Sequence, residues 1–236
     1  MPPPSLPPAF HLVALDPEVG AFARAVRAAP RGVDDGTLYW TERSDRVDLA
    51  VVLEPEEPAA QTLEALYVLM VAAGDALGAA LPPVVPVAFG WPGDLILAQA
   101  RVGRVQAALA PVADADGVPP WLVVGLQIDV AALGDDPGLM VERTSLHGEG
   151  AGDVGVVQLV ESVSRHFLLW TNRWQENGLS PIRAAWNARC YRYGETATLT
   201  LAEGPVEGHI NGLDVHGRFV VGGSSFDLLH CRDMLA

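Results

Sequence analysis

The chain contains no lysine. Its fifteen basic residues are all arginine, set against 29 acidic residues in a total of 236. A Walker-type phosphate loop needs a lysine on the β/γ-phosphates, Schiff-base chemistry needs a lysine amine, and serine/lysine hydrolases need a lysine base. None of these can operate here. Heavy use of Ala, Gly, Pro, Val and Arg looks like GC-rich coding, which accounts for scarce lysine without altering the chemical exclusion.

Cysteine is nearly as scarce. Cys190 and Cys231 are too few for a disulfide framework, read as structural thiols, and fit a reducing cytosol. No apolar run is long enough for a membrane span: the richest, residues 65–73, is followed closely by Asp75. The opening residues 1–10 are proline-rich, with neither a basic start nor an apolar stretch, so they do not read as a signal peptide. A formal charge of -14 repels nucleic-acid phosphates and anionic membranes, so neither is an expected partner. A cytoplasmic protein is expected.

What is present is a core. Half of the residues are hydrophobic, enough for one domain with a small appendage. A short helix is expected over 17–29, strands over 36–41 and 48–53, and a helix after Pro55 and Pro58 with Leu63, Leu66, Tyr67, Met70, Val71 and Leu77 on one face. Strands follow over 84–89, 94–97, 101–109 and 121–130. Val156, Val160, Val163, Phe167, Trp170 and Trp174 recur at three- and four-residue steps, and Gly178 stands where a helix should stop. A second helix spans 181–190, and short strands over 197–202, 206–213, 218–221 and 226–229 suggest a β module. The expected fold is α+β: a central mixed or antiparallel sheet packed by helices over 1–192, and a small SH3-like C-terminal module over 193–236.

Single motifs carry little chemistry. There is no Gly-x-Ser-x-Gly elbow, and Gly222-Gly223-Ser224-Ser225 reads as a hairpin turn. The six histidines show no metal-ligand spacing, so no metal is expected. Gly148-Glu149-Gly150-Ala151-Gly152-Asp153 has a phosphate loop's glycines, but its two carboxylates oppose an anion and it reads as a flexible linker.

The order of short motifs is more telling. Trp91-Pro92-Gly93-Asp94 precedes Arg101-Val102-Gly103. Val124-Gly125-Leu126-Gln127-Ile128-Asp129-Val130 and Arg143-Thr144-Ser145-Leu146 come next, then two helices, then Gly208-His209-Ile210-Asn211-Gly212-Leu213-Asp214. This succession, over about residues 37–229, resembles the biotin protein ligases and, more broadly, the biotin/lipoate ligase superfamily. The resemblance implies a ligase that adenylates a small acyl carboxylate with ATP and magnesium, then passes the acyl group to a lysine of a biotinyl or lipoyl carrier domain.

It also implies where the chemistry should be. Arg101 stands in place of the family's essential lysine. A ligand pocket is expected from Trp40, Arg43, Arg46, Trp91, Asp94, Gly103, Gly125 and Asp129. The departures fall in the same region: Glu42-Arg43-Ser44-Asp45-Arg46 replaces a Gly-Arg-Gly-Arg loop, Gln127 replaces a glycine, Asp129 an asparagine, and Gly93 the asparagine of the tryptophan turn. A guanidinium binds an oxyanion through two parallel N–H bonds, yet it is planar and larger than an ammonium group and cannot occupy the same point between two reacting groups. Adenylation should therefore be slow or absent, and the competing expectation is a non-catalytic small-molecule-binding protein on the ligase fold. Arg101 also has a purely structural alternative, pairing with Asp94 or Asp129.

Overall fold

The computed structural model describes residues 1–112, 117–131, 142–201, 204–231 and 235. Its centre is a seven-stranded mixed sheet of order β1-β2-β3-β7-β6-β5-β4. The strands are β1 (His11–Leu15), β2 (Thr37–Thr41), β3 (Arg46–Leu53), β4 (Val87–Gly90), β5 (Asp94–Leu97), β6 (Ala100–Leu109) and β7 (Leu122–Asp129). Only the β1–β2 pair is parallel. β1 is an addition to the sequence reading: it directly follows the proline-rich lead and has no clean alternation.

The two faces of the sheet are covered unequally. One carries α3 (Ala65–Ala80), α4 (Val156–Asn177) and α5 (Leu179–Asn187) over the main apolar core. The other carries α1 (Ala21–Ala28), whose Ala21, Ala25 and Ala28 pack on Tyr39, Ala50, Val52 and Val123. At 1.5 Å per residue α1 covers only about 12 Å of strand. Among the described residues, no other helix packs on that face.

The single-faced helix expected after Pro58 is instead a short turn, α2 (Ala59–Thr62), followed by α3, which is buried on nearly every side. Residues 59–80 are long and apolar enough to cross a membrane by length and composition, but here they form the core helix between sheet and α4. Gly178 ends α4 with a positive φ, as its position suggested. The stretch expected as a flexible linker is a packed turn: Gly148 N–H donates to Ser145 Oγ, Thr144 Oγ1 donates to Glu149, and Leu146 and Ala151 are buried.

A second sheet, β11-β10-β9-β8, is antiparallel and built from β8 (Thr196–Leu201), β9 (Gly204–Leu213), β10 (Phe219–Val221) and β11 (Ser224–Phe226). Ala202, expected to end β8, lies outside the described residues. The second sheet joins the main core through aromatic rings. Trp91 stacks on Phe219 with centroids 5.3 Å apart, and its indole Nε1 donates to Tyr67 OH at 2.9 Å, which in turn donates to the Gly217 carbonyl. Asn187 adds a two-way amide clasp to the backbone of Leu213.

Candidate functional site

The open part of the sheet is polar because of register. Across β3, β7 and β6, Asp48 faces Gln127 and Gln127 faces Arg104, while Arg46 faces Asp129. Cross-strand partners project to the same side of a sheet, so these residues share a face. A register shift between β5 and β6 sets Asp94 opposite Arg104 and Ile96 opposite Arg101. The additional residue on β6 turns Arg101 to the same side as Arg104.

The result is a cavity of about 280 Å³, just below the usual ligand range of roughly 300–1,000 Å³. Its walls are Arg46, Arg101, Arg104 and Arg143, with Gln106, Gln127, Asp129 and Gly103 between them. Among the described residues, no aliphatic or aromatic side chain lines it. Arg143 arrives from outside the sheet: Arg101 N–H donates to the Glu142 carbonyl, and Thr144 N–H to the Arg101 carbonyl, so this segment pairs with the start of β6.

Asp129 organises one side. Its Oδ1 accepts from Arg46 Nε at 2.8 Å and its Oδ2 from Arg143 Nη2 at 2.7 Å, and only 9% of its side chain is exposed. A carboxylate so engaged holds two guanidinium planes in fixed orientations. Asp94 organises the other side, 3.7 Å from Arg101 Nη1. Burial pushes the Asp94 carboxyl above the usual carboxylate range, opposed by the charges of Arg101 and Arg104. Asp48 is turned beneath the face. Burial raises its pKa too, against hydrogen bonds from Gln127, from the Ala21 backbone N–H that opens α1, and from Thr41.

The structure distributes the sequence-derived candidates unevenly. Arg46, Arg101, Gly103 and Asp129 line the cavity, and Asp94 stands at its edge. Arg43 does not line it: both Nε and Nη2 bind the Asp45 carboxylate in the β2–β3 turn. Trp40 projects to the opposite face, fully buried in the main core, and its Nε1 has no hydrogen-bond partner among the described residues. Trp91 sits under the second sheet. Gly125 is covered by α1: a Cβ there would lie 2.6 Å from the Phe22 ring. Gly103 is needed by the sheet, since a Cβ would collide with the Gln127 carbonyl, and Gly93 likewise lies against that of Val105. An asparagine at 93, as the resemblance implied, has no room.

Sequence reasoning missed Arg104, Gln106 and Arg143 as lining residues and treated Gln127 only as a substitution. The β6 pattern Arg104-Val105-Gln106, polar at every second residue inside an otherwise apolar sheet, was the available signal. Arg143 had none, because a non-local pairing places it. Among the described residues, no group of three His, Cys, Asp or Glu side chains is arranged to hold a metal ion.

A model of the biotin/lipoate A/B protein ligase family matches residues 6–188. The chain belongs to this family. It is 28% identical over 188 residues to a biotin–[acetyl-CoA-carboxylase] ligase of Paracoccus denitrificans, covering 78% of this chain and 77% of that protein. Among solved structures, a biotin protein ligase-like protein of unknown function from Silicibacter sp. TM1040 is 33% identical. It superposes with a TM-score of 0.86 over 97% of this chain and 98% of that one. The Aquifex aeolicus biotin protein ligase in complex with biotin and ATP is 20% identical, with a TM-score of 0.72 over 89% and 91% of the two chains, a likeness of fold. The expected α+β ligase-type architecture is thereby established.

Proposed function

We propose that this ligase-fold protein binds a small acid through its carboxylate, with Arg101 as the principal anchor, and lacks the apparatus for rapid adenylation. The observation that carries the reading is the cavity itself, four guanidiniums around Asp129 and Asp94 on the face left open by α1. A guanidinium offers paired N–H donors that match a carboxylate edge, and partial burial strengthens the contact. The same fork is a poor replacement for a lysine held between a carboxylate and an α-phosphate. Loss of one preorganised charge contact in a transition state costs about 2.7–4 kcal/mol, on the order of a hundred- to a thousandfold in rate. The β2–β3 turn offers no glycine backbone to wrap a nucleotide, and Arg43 is spent on Asp45.

A second reading keeps the reaction. Membership of the family and the placement of Arg101 inside the cavity favour an acid adenylated with ATP and magnesium and transferred to a carrier-protein lysine, with Arg101 stabilising the carboxylate and α-phosphate charge. The two separate by incubation with ATP, magnesium and, in turn, biotin, lipoate or octanoate, following pyrophosphate release alongside thermal shift. Stabilisation by an acid without pyrophosphate supports the binding protein; acid-dependent pyrophosphate refutes it. Arg101→Lys should raise any adenylation, and no change would show that the cavity serves another end.

A further inference from the structure

Gln127 stands between the cavity and a buried carboxyl. On β7 it faces Asp48 of β3 on one side and Arg104 of β6 on the other, and its side chain lines the cavity while Asp48 is buried beside it. The Asp48 carboxyl accepts from the backbone N–H of Ala21 and from Gln127 Nε2 at 3.5 Å, with Thr41 Oγ1 3.4 Å from its second oxygen. A backbone N–H only donates, so the carboxyl is set as an acceptor and turns the amide nitrogen of Gln127 toward itself. In a planar carboxamide the oxygen then points away from Asp48, on the side of the cavity. Among the described residues no donor reaches this Oε1, since the bond to Asp48 is the one hydrogen bond of the side chain. The glycine that the ligase pattern has at this position would offer no such atom.

We infer that Gln127 Oε1, aimed by Asp48, accepts a hydrogen bond from a hydroxyl or N–H of the ligand, which is therefore a short acid carrying a neutral donor along its chain. The inference rests on the small-acid reading above and deepens it: Arg101 meets the carboxylate, and Gln127 selects what lies beyond it. The arginines of the cavity cannot make this contact, because a guanidinium has no acceptor. Asp129 is engaged at both oxygens by Arg46 and Arg143. Gln106 also lines the cavity, but among the described residues no hydrogen bond fixes which end of its amide faces inward. A methyl group set against Oε1 strips that oxygen of water and returns nothing, which is how a polar site rejects an isostere. Asp48 acts through Gln127 and is a positioning residue. Arg101 lies three residues along β6 from the partner of Gln127, so the two backbones stand roughly 11 Å apart and their side chains close most of that distance. A chain of about three to six carbons bridges the remainder.

The test is calorimetric titration of the whole protein with matched acids of that length. Each ω-hydroxy acid is compared with the acid bearing methyl in place of hydroxyl and with its methyl ether, which accepts but does not donate; each ω-carboxamide is compared with the methyl ketone. At least one donor-bearing acid is expected to bind about fivefold or more tightly than its partners. Whether the best hydroxyl or the best amide binds more tightly identifies the donor. Gln127→Leu should bring the members of each set within twofold of one another. Asp48→Asn should do the same with Gln127 still in place, because an asparagine satisfies either orientation of the neighbouring amide. The preference is a ratio read on one protein, so a general loss of stability does not imitate it. If either variant fails to melt cooperatively, the other variant and the wild-type ratio decide. Sets that bind within twofold on the wild type, or a preference that survives Gln127→Leu, would overturn the donor inference and leave the small-acid reading in place. A preference lost in Gln127→Leu but kept in Asp48→Asn would overturn the role of Asp48. Binding by none of the acids would remove the small-acid reading as well.

Discussion

Glu64 gives the sharpest test of the energetics. It ends the turn before α3, beside a cavity of about 260 Å³ that also touches His216, Gly217 and Arg218 of the β9–β10 turn and Asp227 just after β11. Its Oε2 accepts from Trp174 Nε1 at 2.8 Å. Burial pushes its pKa from 4.5 up to about 7, the indole bond opposing and Glu57 adding to the rise. A carboxyl that holds its proton more tightly when folded stabilises the fold below pH 4.5, and that contribution is lost as pH climbs through 7. At 1.36 kcal/mol for each tenfold in proton affinity, the ceiling is about 3 kcal/mol. Water in the adjoining cavity screens part of this, so about 1–2 kcal/mol is expected. Glu64→Gln keeps an oxygen for Trp174 and removes the titration. Urea unfolding at pH 5 and pH 8 should show the variant gaining 1–2 kcal/mol on the wild type between the two, roughly 2–8 °C in Tm for a chain of this size. The charge repulsion of a chain at -14 is nearly common to both proteins and largely cancels in the difference. Parallel pH profiles would refute the reasoning.

Three further outcomes follow from single contacts. Asp129→Asn strips the charge that holds Arg46 and Arg143; because both arginines are partly exposed, the cost should be about 1–3 kcal/mol in urea unfolding, below the 3–5 of a fully buried pair. Gly125→Val should push Phe22 off β7 at a cost of about 1–3 kcal/mol, and hydrogen exchange should quicken in α1 while α4 is unchanged. Trp91→Phe keeps the stack on Phe219 but loses the indole bond to Tyr67; about 1 kcal/mol of stability should go, and a loss above 3 would mean the hydrogen bond matters more than a single buried contact allows.

The parts of the fold legible in advance were those with a local cause. The three- and four-residue steps of Val156 to Trp174, closed by Gly178, predicted α4; the apolar run of 121–130 predicted β7; and the glycine turns predicted the small second sheet. β1 was not legible, because five residues after a proline lead carry no period of their own and are held by a parallel partner 26 positions away in register. α3 was misjudged as one-sided because its apolar residues lie all round, a pattern only burial between sheet and α4 explains.

The candidate site divides on the same line. Motif order led to Arg101, Gly103 and Asp129, since these sit on strands whose spacing along the chain survives folding unchanged. Trp40 and Trp91 were drawn into the pocket because aromatic residues near a motif look like ligand contacts, yet alternation along β2 sends one to the opposite face and the second sheet claims the other. The residue list alone determined that any side chain permanently cationic at neutral pH would be a guanidinium, because no lysine is available to supply an ammonium. The tertiary structure decided where those guanidiniums meet. Cross-strand register, one shift between β5 and β6, and the pairing of residues 142–144 with β6 bring Arg46, Arg101, Arg104 and Arg143 from separate stretches of chain to one open face, and no one-dimensional pattern encodes that convergence.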